Sequence, residues 1–138
     1  DVMVGFPEEN ELEFEKTLNL LDKLPLTYFH VFPFSAREGT PAFQLKEQIL
    51  PQIKQNRSKI LRELSSKKRL SFHQRFIGQT RNVLCESRKP ETNVSGYTDN
   101  FIRVVLEETH ETDLRNQLLA VKLTGIKGQT MLGKFESN

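Results

Sequence analysis

The sequence predicts an α+β chain in which a strand-helix-strand-helix segment precedes a small, OB-like antiparallel β-barrel. Two observations support the first part. Short apolar runs flank an amphipathic segment near the amino terminus, and a long segment of helical periodicity follows. A third observation supports the barrel, because apolar and polar residues alternate between glycine-containing turns in the last third of the chain. The change of period predicts two small domains, 1–69 and 70–138.

The amino-terminal segment begins with the apolar run DVMVGFP, which predicts a short buried strand. Asn10 is a candidate N-cap with Glu13 as its capping-box partner, and the helix that follows ends before Pro25. The run LTYFHVFPF predicts a second strand. Because a helix separates the two strands, we expect them to be parallel with a right-handed crossover.

The next segment is predicted to be helical. A short helix is expected near 43–50, and a long helix begins with Pro51 at a first-turn position and ends by Gly78. One face of the long helix is largely apolar and the opposite face is basic. Barrel strands are expected in the runs QTRNVLCES, GYTDNFIRVVLE and LLAVKLTGIKGQTMLGKFES, with ESRKPETNVSG and ETHETDLRNQ as loops.

Composition points to a soluble cytoplasmic protein. No run of apolar residues is long enough to span a membrane, and the first residues lack the basic region of a signal peptide. A single cysteine, Cys85, excludes an internal disulfide and suits a reducing compartment. We therefore expect no membrane partner.

Charge is distributed unevenly along the chain. Residues 51–90 contain eleven basic and two acidic residues, although the whole chain has a net charge of only +2. Such a block is typical of a protein that binds a polyanion such as nucleic acid, and a solvated helix face is the alternative.

No complete catalytic or metal site is predicted. His30 lies in an apolar run and is expected to be a core or barrel-lining residue. His73 and His110 have neither a neighbouring nucleophile nor the spacing of metal ligands. Cys85 alternates with apolar residues in a predicted strand, so we expect a buried, inert thiol.

RNA binding agrees better with the residues. Small barrels that bind RNA combine basic side chains for phosphates with aromatic rings for unpaired bases. Tyr97 is the predicted stacking residue because it follows Gly96 in a turn-like position, whereas Phe72 and Phe101 are expected in the core. A solubilising surface is the alternative for each basic residue. The predicted phosphate contacts are Lys67, Lys68, Arg69, Arg75, Arg81, Arg103, Lys122, Lys127 and Lys134.

Several runs, in order, resemble the carboxy-terminal part of the radical S-adenosylmethionine methylthiotransferases that modify tRNA. The runs are DVMVGFPEENELEFEKT, HVFPFSAREGTPAF, RSKILRELSSKKRLSFHQRFIGQ and GYTDNFIRV. The second run is most similar to the MtaB-type branch, and the MiaB-type branch is the alternative. The resemblance implies that 1–69 is the end of a radical-SAM β/α barrel with a connecting helix. It also implies that 70–138 is a TRAM domain, a small barrel that binds tRNA.

The resemblance also implies an activity. MtaB-type enzymes thiomethylate threonylcarbamoyladenosine beside the tRNA anticodon, and MiaB-type enzymes act on isopentenyladenosine. Enzymes of this family use S-adenosylmethionine and two 4Fe-4S clusters held by cysteines. This chain has Cys85 alone, so we expect it to be part of a longer enzyme, to hold no cofactor itself and to be inactive by itself.

Two groups of site residues follow from the resemblance. The first group, at strand ends that would meet S-adenosylmethionine, is Gly5, Pro7, Phe32, Phe34, Ser35 and Arg37. An ion pair with Glu38 or Glu8 is the alternative role for Arg37, and Glu8-Glu9 departs from the Gly-Glu of the family pattern. The second group, which would face the anticodon arm of tRNA, is Gly96, Tyr97, Asn100, Arg103 and Lys122.

A free-standing RNA-binding module is the alternative to an enzyme part. The coding sequence before Asp1 distinguishes them, because the enzyme requires a Cys-x-x-x-Cys-x-x-Cys motif there. Two parallel strands without neighbours have open edges, so we expect self-association or disorder in 1–40 unless the long helix covers them.

Overall fold

A computed structural model describes residues 1–87, 93–107 and 113–136, which fall into two units, Asp1–Arg69 (unit 1) and Leu70–Asn138 (unit 2). Unit 1 begins with β1 (Val2–Val4), α1 (Glu11–Lys23), β2 (Val31–Pro33) and α2 (Pro41–Gln44). The long helix α3 (Pro51–Gln74) follows, and its residues from Leu70 on belong to unit 2. The strands of unit 2 are β3 (Thr80–Ser87), β4 (Ser95–Thr98), β5 (Arg103–Leu106), β6 (Leu118–Lys127) and β7 (Thr130–Phe135).

The sheet of unit 1 is a parallel pair, β1 with β2, in which Val2 lies opposite Val31. The predicted strand-helix-strand order with parallel pairing is confirmed. One face of the sheet is covered by α1 and α3, because Phe14 and Leu61 join the strand residues in a single core. Membership of this sheet in a larger radical-SAM barrel stays a prediction. The core residues are Val4, Phe14, Leu21, Phe29, Val31 and Leu61.

Helix α1 begins where its sequence predicts. The side chain of Asn10 accepts a hydrogen bond from the backbone N–H of Glu13 at 3.0 Å, which confirms the N-cap. The reciprocal half of the capping box is wrong, since the Glu13 carboxylate instead accepts a bond from Lys16 at 2.8 Å. Acidic side chains in the first turn of α1 stabilise the helix further by interacting favourably with its dipole.

Helix α2 is shorter than the sequence predicts. It ends at Gln44 rather than reaching residue 50, because Leu45 adopts an extended conformation with φ −66° and ψ 135°. The amide of Gln48 donates to the carbonyl oxygens of Ala42 at 2.9 Å and Leu45 at 3.0 Å. Hydrogen bonds from the Gln48 side chain thus satisfy carbonyl oxygens that backbone N–H groups would have paired if the helix had continued.

A buried ion pair joins α3 to the loop between β1 and α1. Arg57 is 5% exposed, and its Nη1 donates to the Glu9 carboxylate at 2.8 Å and to the Glu9 carbonyl at 2.7 Å. Its Nη2 donates to Glu11 at 3.1 Å. The same Glu9 oxygen accepts from the N–H of Gly5 at 3.0 Å. The guanidinium also lies 5.2 Å from the ring centroid of Phe14.

Unit 2 is a closed five-stranded barrel with the strand order β3-β4-β5-β7-β6. The small barrel is confirmed, but its predicted antiparallel pairing throughout is wrong, since β5 and β7 pair in parallel. The reason is topological. Strand directions cannot alternate around a ring with an odd number of members, so a closed barrel of five strands needs a parallel pair.

Two glycines allow close packing in the barrel wall. A Cβ atom on Gly96 would lie 2.1 Å from the carbonyl oxygen of Leu84, and one on Gly133 would lie 2.4 Å from a methyl group of Val121. The interior is otherwise filled by apolar side chains that alternate along the strands. The interior residues are Val83, Cys85, Val94, Ile102, Val104, Leu106, Val121, Leu123 and Met131.

His30 does not lie in the strand where the sequence predicts it. The strand β2 begins at Val31, so His30 precedes it; the histidine is exposed, and its Nδ1 lies 3.2 Å from the Asp1 carboxylate. The expectation of a core histidine there is therefore wrong. His110 lies outside the described residues. Among the described helices, none is long and apolar enough to cross a membrane.

Replacement of Arg57 by alanine is expected to lower the free energy of unfolding of unit 1 by about 3 to 5 kcal/mol, because it leaves the largely buried Glu9 carboxylate without its partner. Urea unfolding followed by circular dichroism measures this. The matched control is Lys16→Ala, which removes an exposed ion pair and should cost less than about 1 kcal/mol. Equal losses in the two variants contradict the prediction.

Gly96→Ala is expected to destabilise unit 2 by about 1 to 3 kcal/mol, because the new methyl group meets backbone that the β3–β4 ladder holds in place. The control is Gly125→Ala, where the nearest heavy atom to the added Cβ is 4.0 Å away. Thermal unfolding should show a fall in Tm for the first variant and little change for the second. A Gly96→Ala protein as stable as wild type refutes the argument.

Candidate nucleic-acid interface

The outer face of the unit 2 barrel carries the side chains that do not enter the core. Along β3, Val83 and Cys85 point inward, so Asn82 and Leu84 lie on the outside. Strand registers place Leu84 opposite Tyr97 on β4 and opposite Leu118 on β6. A continuous row of outward side chains therefore crosses the barrel wall.

Tyr97 lies within this row and is half-buried. Its neighbour across the strands is Arg103, which donates to the Tyr97 hydroxyl at 3.2 Å and lies 5.6 Å from the ring centroid. Tyr97 is in the middle of β4, and the expected turn-like position is wrong, because Gly96 packs against β3 instead of making a turn. Gly96 itself is buried, which corrects its expected place facing RNA.

Phe101 is 81% exposed, so its predicted place in the core is wrong. Ile102 fills the core position instead and is 1% exposed. The turn that begins at Thr98 determines which of the two residues enters the core. The N–H of Phe101 donates to the carbonyl of Thr98 at 3.0 Å, and the N–H of Ile102 donates to the Thr98 hydroxyl at 3.0 Å. Asn100 accepts from the same hydroxyl at 2.6 Å. Phe72, by contrast, packs against the core as predicted.

A cavity of about 580 Å³ opens on this face. Of its residues, sequence reasoning named only Tyr97 as a binding residue. Leu84 and Leu118, apolar residues at strand positions that alternate with the core positions, were a signal in the sequence for part of the rest. The lining consists of Asn82, Leu84, Glu86, Tyr97, Thr98, Asp99, Phe101 and Leu118.

Three of the predicted phosphate contacts lie on β6 and β7. Lys122 and Lys134 are opposite one another in the antiparallel ladder, and both are exposed. Lys127 ends β6 and is exposed as well. Within the described part of the chain, none of these lysines forms an ion pair. Lys122 and Lys134 therefore place two positive charges side by side without a neutralising partner among the described residues. Like charges in this arrangement repel each other.

The two remaining basic candidates of unit 2 near the barrel differ in what they contact. Arg81 lies 3.4 Å from the Asp99 carboxylate and 4.9 Å from the ring centroid of Phe76, so it is engaged within the protein. Arg75 is exposed.

The basic candidates of unit 1 are partly engaged in structure. Lys68 donates to the carbonyl oxygens of Asp22 at 2.7 Å and Leu24 at 2.9 Å, and so caps the end of α1. Arg69 lies 4.0 Å from the ring centroid of Tyr28. Lys67 is exposed. Lys68 and Arg69 are thus engaged within unit 1, whereas no such contact of Lys67 is seen in the described part of the chain.

The ends of β1 and β2 carry the residues predicted to meet S-adenosylmethionine. Gly5 has φ +78°, and the space beside it is filled by the methylenes of Lys54, whose ammonium group donates to the carbonyl of Phe34 at 3.1 Å. Phe34 makes an edge contact with Phe6, with ring centroids 5.1 Å apart. The structure therefore brings the ends of β1 and β2 together, and Lys54 of α3 contacts both of them.

The other predicted cofactor residues differ in exposure. Pro7 is buried, whereas Phe32 is 52% exposed and Ser35 and Arg37 are exposed. The alternative ion pair of Arg37 with Glu38 or Glu8 is wrong, since none forms in the described part of the chain.

The departure at Glu8 from the family pattern has a structural counterpart. Glu8 has φ +71°, a left-handed conformation that favours glycine, the residue of the pattern. Its N–H donates to the carbonyl of Glu47 at 2.9 Å. Glu8 thus occupies a left-handed position in the turn after Pro7, where the family pattern has glycine.

The residues present do not fit an iron-sulfur cluster. Cys85 is 1% exposed in the barrel core, and burial raises the pKa of its thiol, as expected for an inert residue. Over the described ranges, no group of three or more His, Cys, Asp or Glu side chains is placed to hold a metal ion.

Relatives of the chain carry two names. It is 34% identical over 138 residues, 99% of its length, to a tRNA-2-methylthio-N(6)-dimethylallyladenosine synthase of Protochlamydia amoebophila. It is 33% identical over 127 residues, 89% of its length, to the threonylcarbamoyladenosine tRNA methylthiotransferase MtaB of Bacillus subtilis. It is 42% identical over 84 residues, 61% of its length, to the MtaB protein of Aquifex aeolicus.

The match covers the chain better than it covers the relatives. The chain spans 30%, 28% and 20% of these three proteins in turn. No family model matches the chain. Because relatives of both names align over nearly its whole length at 30% identity or more, the chain belongs to the MiaB/MtaB family of tRNA methylthiotransferases.

Proposed function

We propose that this chain is the tRNA-binding part of a methylthiotransferase and that the outer face of the unit 2 barrel contacts the RNA. The observation that carries the proposal is the opposed pair Lys122 and Lys134, both exposed and without an ion pair in the described residues. Phosphate groups of RNA would neutralise the two lysine charges and so relieve the repulsion between them. Arg103 beside Tyr97 adds a further cation. Lys127 would extend the same contact along the backbone.

The proposed chemistry of the whole protein is methylthio transfer to a hypermodified adenosine next to the anticodon. The substrate we propose is threonylcarbamoyladenosine, supported by the relatives named MtaB, and isopentenyladenosine is the alternative that the other name supports. Both would be met in the anticodon arm of a cytoplasmic tRNA.

S-adenosylmethionine and two 4Fe-4S clusters would supply radical chemistry in the whole protein. This chain's own part would be the rim formed by the ends of β1 and β2. Exposed Phe32 and the Phe6–Phe34 pair would offer apolar surface to adenine, with Ser35 and Arg37 as polar neighbours. The chain lacks the cysteines for a cluster, so we expect it to be inactive alone.

The double variant Lys122→Gln, Lys134→Gln is expected to bind tRNA more weakly and to reduce the slope of log affinity against log salt by about two. Fluorescence anisotropy of labelled tRNA, measured across about 50 to 200 mM salt, gives both quantities. Lys16→Gln is the control: it removes one positive charge from an exposed lysine on α1 and should leave the slope unchanged. A wild-type affinity that does not depend on salt contradicts the proposal.

Unit 1 offers a surface for self-association. Met3 and Phe32 are opposite one another on β1 and β2 and are 57% and 52% exposed, so the face of the sheet away from the core is apolar. We expect concentration-dependent association in sedimentation velocity, and we expect Met3→Lys to weaken it. A wild-type monomer at all concentrations contradicts this expectation, and Leu12→Lys on exposed α1 serves as the control.

A further inference from the structure

The cavity on the outer face of the barrel has a lining suited to a flat aromatic ligand. Leu84, Leu118 and Phe101 are 49%, 64% and 81% exposed, and Tyr97 lies among them. Its volume of about 580 Å³ falls within the range of about 300 to 1,000 Å³ common for ligand pockets. Apolar side chains this exposed within one pocket indicate a surface that is covered when a partner binds.

The backbone of Phe101 supports a binding role. It has φ +60°, a left-handed conformation that a bulky side chain rarely adopts. The turn around it is fixed by bonds to Thr98, which is 4% exposed, so the surrounding structure imposes the conformation. Strain of this kind is found where a side chain must be held in a required position. Here it holds an aromatic ring in solvent.

The polar groups of the lining select the kind of ligand. Glu86 and Asp99 carry negative charge, which disfavours a phosphate in the cavity itself and favours donors of hydrogen bonds. Cations lie beside the cavity: Arg103 contacts Tyr97, and Arg81 pairs with Asp99. An aromatic ligand with N–H donors, attached to an anionic backbone, fits this arrangement of charges.

We propose that the cavity binds one unstacked nucleobase that carries an exocyclic amino group. The base would stack on Phe101 and Tyr97, and its amino group would donate to Glu86 or to the side-chain oxygen of Asn82. Adenine, cytosine and guanine have such a group, whereas uracil presents carbonyl oxygens at the corresponding positions. The inference rests on the proposed RNA binding and adds to it the class of base that is read.

Intrinsic fluorescence tests this directly. The chain has no tryptophan and two tyrosines, so Tyr28→Phe leaves Tyr97 as its only fluorescent tyrosine. In that background, single-stranded oligoadenylate and oligocytidylate are expected to quench Tyr97, and oligouridylate of equal length should bind more weakly. Phe101→Ala should lower the affinity for oligoadenylate about tenfold with no change in salt dependence. Glu86→Ala should reduce the preference over oligouridylate.

A second variant guards against a folding defect. Phe101→Gly removes the ring but suits φ +60°, so it should be at least as stable as wild type and still lose the affinity. Loss of affinity in Phe101→Gly with an unchanged Tm supports the proposal.

The outcomes separate this inference from the proposed function. If tRNA binds with a steep salt dependence but Phe101 variants bind every oligonucleotide as wild type does, the base pocket is refuted and RNA binding stands. If no RNA binds, the proposed function itself fails. If a basic, apolar peptide changes Tyr97 fluorescence and oligonucleotides do not, the cavity is a protein contact and the inference is wrong.

Discussion

The parallel pairing of β5 with β7 closes the barrel, and the geometry of its outer face depends on that closure. With two neighbours for every strand, no edge is left open, and outward side chains lie at fixed spacings across the wall. The same ladders that bury Val104 and Val121 set Lys122 against Lys134 on the outside. One set of strand registers thus forms both the core and the surface that we propose to bind RNA.

Unit 1 depends on polar contacts from α3 where its small sheet cannot supply enough apolar burial. Arg57 neutralises Glu9 in the interior, and Lys54 closes over Gly5 while bonding the end of β2. A two-stranded sheet is marginal without such support. The helix therefore orders the strand ends that we propose to meet a cofactor, while Met3 on the opposite face of the sheet remains exposed.

In the proposed function, this chain contributes to RNA recognition and not to the chemistry. Its relatives are tRNA methylthiotransferases, yet Cys85 is enclosed in the barrel and the described residues provide no metal site. The barrel surface instead combines cations, exposed aromatic rings and carboxylates. Phe101 shows how such a surface arises: hydrogen bonds to Thr98 place Ile102 inside and leave the neighbouring ring in solvent.

Local patterns in the sequence were sufficient for the Asn10 cap, the order of strands and helices, the small barrel and the burial of Cys85. These follow from periodicity and from bonds between near neighbours along the chain. Tertiary structure alone decided that β5 pairs in parallel with β7 and that His30 and Phe101 are exposed. An apolar residue predicts burial, but strand partners and turns determine which side of the barrel wall it faces. The strand partners are far away in the sequence, and the turn at Thr98 is local but is not evident from the alternation of apolar and polar residues.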